Sequence, residues 1–253
     1  MPKLQILIIL VVLAGLHVIL EGDMKNISII LALLLIYLSG CTTGFNREAA
    51  ERRLADVNLD RVSSSPNTLK IPLKVAVYAD METMTRSGQF EDRWIWSTGD
   101  MQLIASYLDN LVELKYLSEY FIIPDDNQHS MQDINYLIGE AKKHDVDALL
   151  TLRGVIKVNK YLNPAAILDL TIIGACLFPG SNRDATLLVY MNLWNVKDND
   201  CILTVKGEGE KKISEPTFLI DTQDAVDAVK YDTLRQVLSE FKKRCREIKP
   251  AGK

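Results

Sequence analysis

Histidine is scarce in this 253-residue chain: of three, only His129 and His144 lie beyond the first 40 residues. No Gly-x-Ser-x-Gly, phosphate loop or His-Glu-x-x-His is present. Gly207-Glu208-Gly209-Glu210 lacks the strand-to-helix setting of a nucleotide fingerprint. A basic excess is missing too: 29 Lys and Arg face 33 Asp and Glu, a net charge of −4. That balance argues against nucleic acid as a partner. The four cysteines, Cys41, Cys176, Cys201 and Cys245, match no metal spacing. The expectation is a chain with no catalytic set, no metal and no cofactor. Asp125, Asp126 and His129 offer an acid–base or metal alternative, the basis for an enzyme acting on envelope polymers. A solvated turn before a capped helix explains them better, and a helix end entering a strand explains His144-Asp145-Val146-Asp147.

What the chain does have begins with two apolar runs. Leu4 to Leu20 is interrupted only by Gln5, Gly15 and His17, and Glu21-Gly22-Asp23 follows. The second run, Ile27 to Leu38, follows Met24-Lys25-Asn26 and ends in Leu38-Ser39-Gly40-Cys41. A basic start, a short apolar core and small residues before a cut are the parts of a signal peptide. The core is too short to span a bilayer of about 30 Å as a permanent helix. Because a complete signal peptide begins at Met24, that residue is the expected start. Residues 1–23 then come from a start read too early, or form an extra hydrophobic segment.

The tetrad Leu38-Ser39-Gly40-Cys41 resembles the lipobox of bacterial lipoproteins. The resemblance implies a diacylglyceryl group on the Cys41 thiol, cleavage before it, and a further acyl chain such as palmitate on the new amino group. Each buried CH2 adds about 0.8 kcal/mol of anchoring. Thr42 stands where an aspartate would favour the inner membrane, so the address is the outer membrane, facing the periplasm. With Cys41 lipidated, at most one disulfide remains, Cys201 pairing with Cys176 or Cys245. The simpler expectation makes all three small buried apolar residues.

Residues 41–70 read as a lipidated tether with a helical stretch from Arg47 to Asp56 and a linker at Ser63-Ser64-Ser65-Pro66-Asn67. Residues 71–249 read as one domain. Leu73 to Ala79 predicts a buried strand, Met81 to Trp96 a loop, and Thr98 the start of a helix bearing Met101, Ile104, Leu108 and Leu111. Tyr120 to Ile123 is a second strand. Ser130 and Asp133 form a capping-box pattern for a helix ending near His144. In Ala148 to Val158, Leu152, Gly154, Ile156 and Val158 share one face, and Arg153 and Lys157 point the other way. Thr186–Val196 and Ile202–Gly209 read as strands joined at Asp198-Asn199-Asp200. A last helix, about Asp224 to Ile248, carries Leu234, Val237, Leu238, Phe241 and Cys245 at helical spacing. The fold class is therefore α/β, a mixed β-sheet with helices packed on it.

Three stretches carry a family resemblance: Lys74 to Tyr78, Ala141 to Leu150, and the hairpin Leu193 to Asp200. Together they resemble the domain shared by the curli-secretion lipoprotein CsgG, the TolB amino-terminal domain and the penicillin-binding-protein activator LpoB. Asn195 stands where that group has Asp. Leu170 to Gly180 is similar to the rhombotarget lipoproteins, whose glycine-rich sorting tail has no counterpart in Lys249 to Lys253. The resemblance implies a non-catalytic envelope binding or assembly factor with an envelope protein partner. The alternative is an oligomeric secretion channel, a homo-oligomer like the curli channel. Candidate partner-facing residues are Trp94, Trp96, Leu177 and Phe178. The apolar stretch 165–179 reads as a buried connection or as a docking or membrane-contact surface.

Overall fold

A computed structural model describes residues 44–55, 71–84, 90–93, 97–123, 133–163, 165–166, 176–216 and 219–247. In chain order the elements are α1 (Arg47–Ala55), β1 (Leu73–Met84), β2 (Phe90–Arg93), α2 (Thr98–Glu113), β3 (Leu117–Ile122), α3 (Ile134–Lys143), β4 (Ala148–Leu162), β5 (Ser181–Asn195), β6 (Cys201–Glu215) and α4 (Thr222–Glu247). They form an α/β fold with six strands in one mixed sheet, path β2-β1-β4-β5-β6, and β3 also paired to β1. β1 runs parallel to β3 and β4 and antiparallel to β2.

The chain divides into two compact units. Among the described residues, the larger contains those of Gly44–Asn159, Arg183–Ile213 and Asp221–Glu247; the smaller contains those of Lys160–Asn182 and Ser214–Ile220.

In the larger unit, alternation along each strand creates two faces. On the first, Val75, Val77, Ala79 and Met81 of β1 join Leu150, Leu152 and Ile156 of β4 in one apolar cluster. α2 and α4 cover it because each carries an apolar stripe at helical spacing: Ile104, Leu108 and Leu111, and Leu234, Val237, Leu238 and Phe241. Glycine lets α4 approach β6. A Cβ at Gly207 would collide with Val237, and one at Gly209 with Thr233. Lys230 of α4, fully buried, pairs with Asp100. Asp100 also completes a capping box with Ser97 at the start of α2.

On the second face, Ala76, Tyr78, Leu149 and Trp194 pack under α3 through Ile134, Leu137, Ile138 and Ala141. Met84, Val155 and Leu188 pack under α1 through Ala50 and Leu54. The sequence reading placed this helix in the tether; its place is on the sheet.

Other expectations need correction. The loop foreseen over Met81–Trp96 contains the end of β1 and all of β2. Met81, Glu82 and Met84 are buried, and β1 pairs with β4 as far as Thr83 opposite Ile156. Long-range pairing outweighs local polarity here. β3 begins at Leu117, ahead of Tyr120. The cap of α3 is Asp133, whose side chain accepts from the Asn135 amide; Ser130 lies outside the described residues. β5 and β6 both extend beyond their expected bounds. Cys176 is exposed rather than buried, and Cys176, Cys201 and Cys245 are all free thiols.

The turn joining β5 to β6 falls where the sequence places it. Asn199 adopts φ 59°, a left-handed conformation that asparagine tolerates. Asn195 closes the turn with its own side chain. Its side-chain oxygen accepts from the Lys197 and Asp198 amides while its NH2 donates to Asp198 at 2.8 Å. An aspartate could not make that last bond.

Candidate functional site

Along β1 the second face carries Tyr78 under α3 and Met84 under α1, with Asp80 and Glu82 between them. This gap holds a buried polar belt. Asp80, Glu82, Arg153 and Lys157 are 2 %, 4 %, 3 % and 3 % exposed. A charge buried this deeply must be paired.

Arg53 of α1 supplies one partner. Its Nε and Nη2 donate to the two oxygens of Glu82, both at 2.8 Å, a bidentate grip. Arg153 stands opposite Asp80 in the β1–β4 register. Burial lowers the Arg153 pKa from arginine's usual value, and Tyr78, Asp80, Glu82 and Asp133 pull it back up. Nearby, Trp194 Nε1 donates to the Thr151 hydroxyl at 3.2 Å.

The belt also fastens the start of the domain. Lys157 Nζ donates to the Gly44 carbonyl at 2.8 Å. Arg47 pairs with Glu208 and Lys206 with Glu51. α1 is thus held by apolar contact at Ala50 and Leu54 and by charge on either side of them.

This arrangement holds surfaces together more readily than it moves protons. Burial pushes the Cys245 thiol up to about 12 and raises that of Cys201. Neither is a thiolate near neutral pH. Among the described residues, no three of His, Cys, Asp or Glu gather where a metal could be held. On the first face, a crevice between Val75, Leu108, Leu111, Leu150 and Phe241 has apolar walls. Among the described residues, no helix is long and apolar enough to cross a membrane.

The residues singled out from sequence fall in different places. Cys41 with Leu38, Ser39 and Gly40, the pair Trp94 and Trp96, and Asp125, Asp126 and His129 lie outside the described residues. Leu177 and Phe178 belong to the smaller unit and are 69 % and 45 % exposed. His144 follows α3, with its ring 4.5 Å from that of Phe121. The belt residues Arg53, Asp80 and Glu82 were not singled out. Their one signal is a run of alternate charged positions continuing an apolar strand, Asp80 and Glu82 beyond Tyr78.

No family model matches the chain, and no curated protein matches it. Solved structures resemble it loosely. A neuraminyllactose-binding hemagglutinin homolog from Helicobacter pylori is 11% identical, covers 72% of this chain and 87% of its own, and gives a TM-score of 0.37. The LpoB C-terminal domain from Salmonella enterica is 11% identical over 65% of this chain and 98% of its own, with a TM-score of 0.32. Lipoprotein GNA1162 from Neisseria meningitidis is 11% identical over 66% and 99%, with a TM-score of 0.27. At these scores the likenesses carry no argument.

Proposed function

We propose that this chain is a lipoprotein anchored in the outer membrane through acylated Cys41, with a non-catalytic α/β domain that binds another envelope component from the periplasmic side. The observation that carries the reading is the tetrad Leu38-Ser39-Gly40-Cys41 closing the apolar run Ile27–Leu38. Trp94 and Trp96 are the partner-facing aromatics, a residue type enriched where interfaces concentrate their energy.

The docked α1 gives the anchor a mechanical consequence. Gly44, three residues after Cys41, is bonded to Lys157 of the sheet. Three extended residues reach about 11 Å. The lipid therefore holds the larger unit close to the bilayer, not at the end of a leash running to residue 70.

A secretion channel built from copies of the chain is the second reading. β6 ends the strand path, and its charges Lys206, Glu208, Glu210, Lys211 and Lys212 oppose addition of another strand. This favours the first reading.

Cell fractionation with mass analysis of the amino-terminal peptide tests the anchor. Wild type should sediment with membranes and carry acyl chains on Cys41, and Cys41→Ala should be soluble. A wild type as soluble as Cys41→Ala would remove the anchoring claim. Crosslinking in intact envelopes tests the partner, and a protein captured equally well by a Trp94→Ala, Trp96→Ala variant would remove those two residues from the interface.

A further inference from the structure

The smaller unit has a surface unlike the rest of the molecule. Four of the eight exposed large apolar side chains among the described residues belong to it: Leu162, Leu177, Phe178 and Leu219. Leu177 and Leu219 are 69 % and 68 % exposed. One buried side chain gathers the stretches that carry them. The Asn182 side-chain oxygen accepts from Asn163 Nδ2 at 3.2 Å and from the Ser214 hydroxyl. The Asn163 amide donates to the Gly180 carbonyl at 3.0 Å, and the Leu219 amide to the Pro216 carbonyl at 2.9 Å. Leu162 thus adjoins the Phe178–Gly180 stretch, and Leu219 closes a turn just beyond Ser214.

Charge is almost absent from these stretches. Lys160–Asn182 contains only Lys160 and Asp169, and Ser214–Ile220 only Glu215. A protein-docking surface usually carries a polar, charged rim for specificity. A surface that enters lipid gains from apolar area, and each charge it carries into the hydrocarbon is costly.

We infer that Leu162, Leu177, Phe178 and Leu219 form a shallow membrane-dipping tip, whose occupant is the acyl-chain boundary of an uncharged phospholipid bilayer. This rests on the proposed acylation at Cys41, which keeps the chain at the bilayer. Because these stretches carry one basic residue, Lys160, against the acidic Asp169 and Glu215, insertion does not depend on anionic lipid or on salt.

The exposed Cys176 provides the probe, since Cys201 and Cys245 are buried. Full-length acylated protein is labelled at Cys176 with an environment-sensitive fluorophore and incorporated into phosphatidylcholine vesicles containing a proportion of bromine-labelled acyl chains. The expected result is a blue-shifted emission quenched by the brominated lipid and insensitive to aqueous iodide or 1 M salt. A Leu177→Asp, Phe178→Asp variant should lose the lipid quenching roughly tenfold or more while still floating with the vesicles, a size set by removing two apolar side chains from lipid. Leu177→Ser, Phe178→Ser repeats the test with a smaller perturbation, and circular dichroism of both variants checks the fold. A wild-type protein that floats but whose label is quenched by iodide overturns the tip and leaves the anchor standing. A wild type that does not float overturns the anchor and the tip with it. A label shielded without lipid, in a concentration-dependent way, assigns the surface to a second copy and overturns the tip.

Discussion

The two faces of the sheet in the larger unit bury different chemistry. Under α2 and α4 the strands present carbon almost throughout, and the buried pair Lys230 with Asp100 joins the helices themselves. Under α1 and α3 the strands present carbon at the two ends and charge in the middle. Apolar burial contributes most of the stability and is non-directional. Paired charges contribute little net stability and heavily penalise displacement. The first face holds the fold together; the second holds α1 at one place, beginning six residues from the proposed lipid anchor.

Substitutions on each face break or sharpen this comparison. On β4, Leu152 and Arg153 are adjacent and face opposite ways. Arg153→Met should cost about 3–5 kcal/mol, because buried carboxylates lose a matched cation, and Asp80→Asn in the same chain should recover part of it. Leu152→Ala should cost about 2–5 kcal/mol, with no recovery from Asp80→Asn. Urea unfolding of the double-mutant cycle measures the difference, and additivity of Arg153→Met with Asp80→Asn would show that the belt is not coupled.

Gly207→Ala attacks the first face by overpacking, since the new methyl would meet Val237. The expected loss is about 1–3 kcal/mol, relieved by Val237→Ala as read from paired thermal melts. Arg53→Ala attacks the second face from α1. Its side chain is 30 % exposed and that of Glu82 6 %, so solvent replaces part of the pair and the expected cost is about 1–2 kcal/mol. Amide exchange should accelerate in α1 and stay unchanged in α2.

The smallest effect is a pH dependence from Cys245. Its thiol is raised in the folded protein from near 9.0 to about 12 by burial. The unfolded chain loses this proton first, so the stabilising contribution is full below about pH 9 and falls as pH rises toward 12. Comparing urea midpoints at pH 8 and 10, Cys245→Ala should lose less stability than wild type. An equal loss would mean the thiol is not desolvated.

Legibility in the sequence followed the range of the interaction. The apolar stripes of α2, α3 and α4 and the turn at Asp198–Asp200 depend on neighbours a few residues away, and periodicity reveals them. The second half of β1 does not. Asp80 and Glu82 look like loop residues because Arg53 and Arg153, which allow them to be buried, lie far along the chain. The helix near Arg47 was visible, but its docking was not, since Ala50 and Leu54 form only a short apolar patch among charges. The tetrad ending at Cys41 is legible because it is a linear signal, whereas the belt exists only once β1, β4 and α1 are assembled. At the tip, Leu177 and Phe178 stood out as apolar residues, but Leu162 and Leu219 come to notice only through their exposure.

The central claim is that the chain immediately after the proposed lipid anchor is part of the folded domain. Hydrogen–deuterium exchange of the amides of residues 47–55, in acylated full-length protein in vesicles, tests it most directly. Protection of about a hundredfold or more over an unstructured chain is expected, partly lost in Arg53→Ala. Exchange at the rate of an unstructured chain in wild type would contradict it, and the domain would then hang from a long tether rather than rest at the membrane.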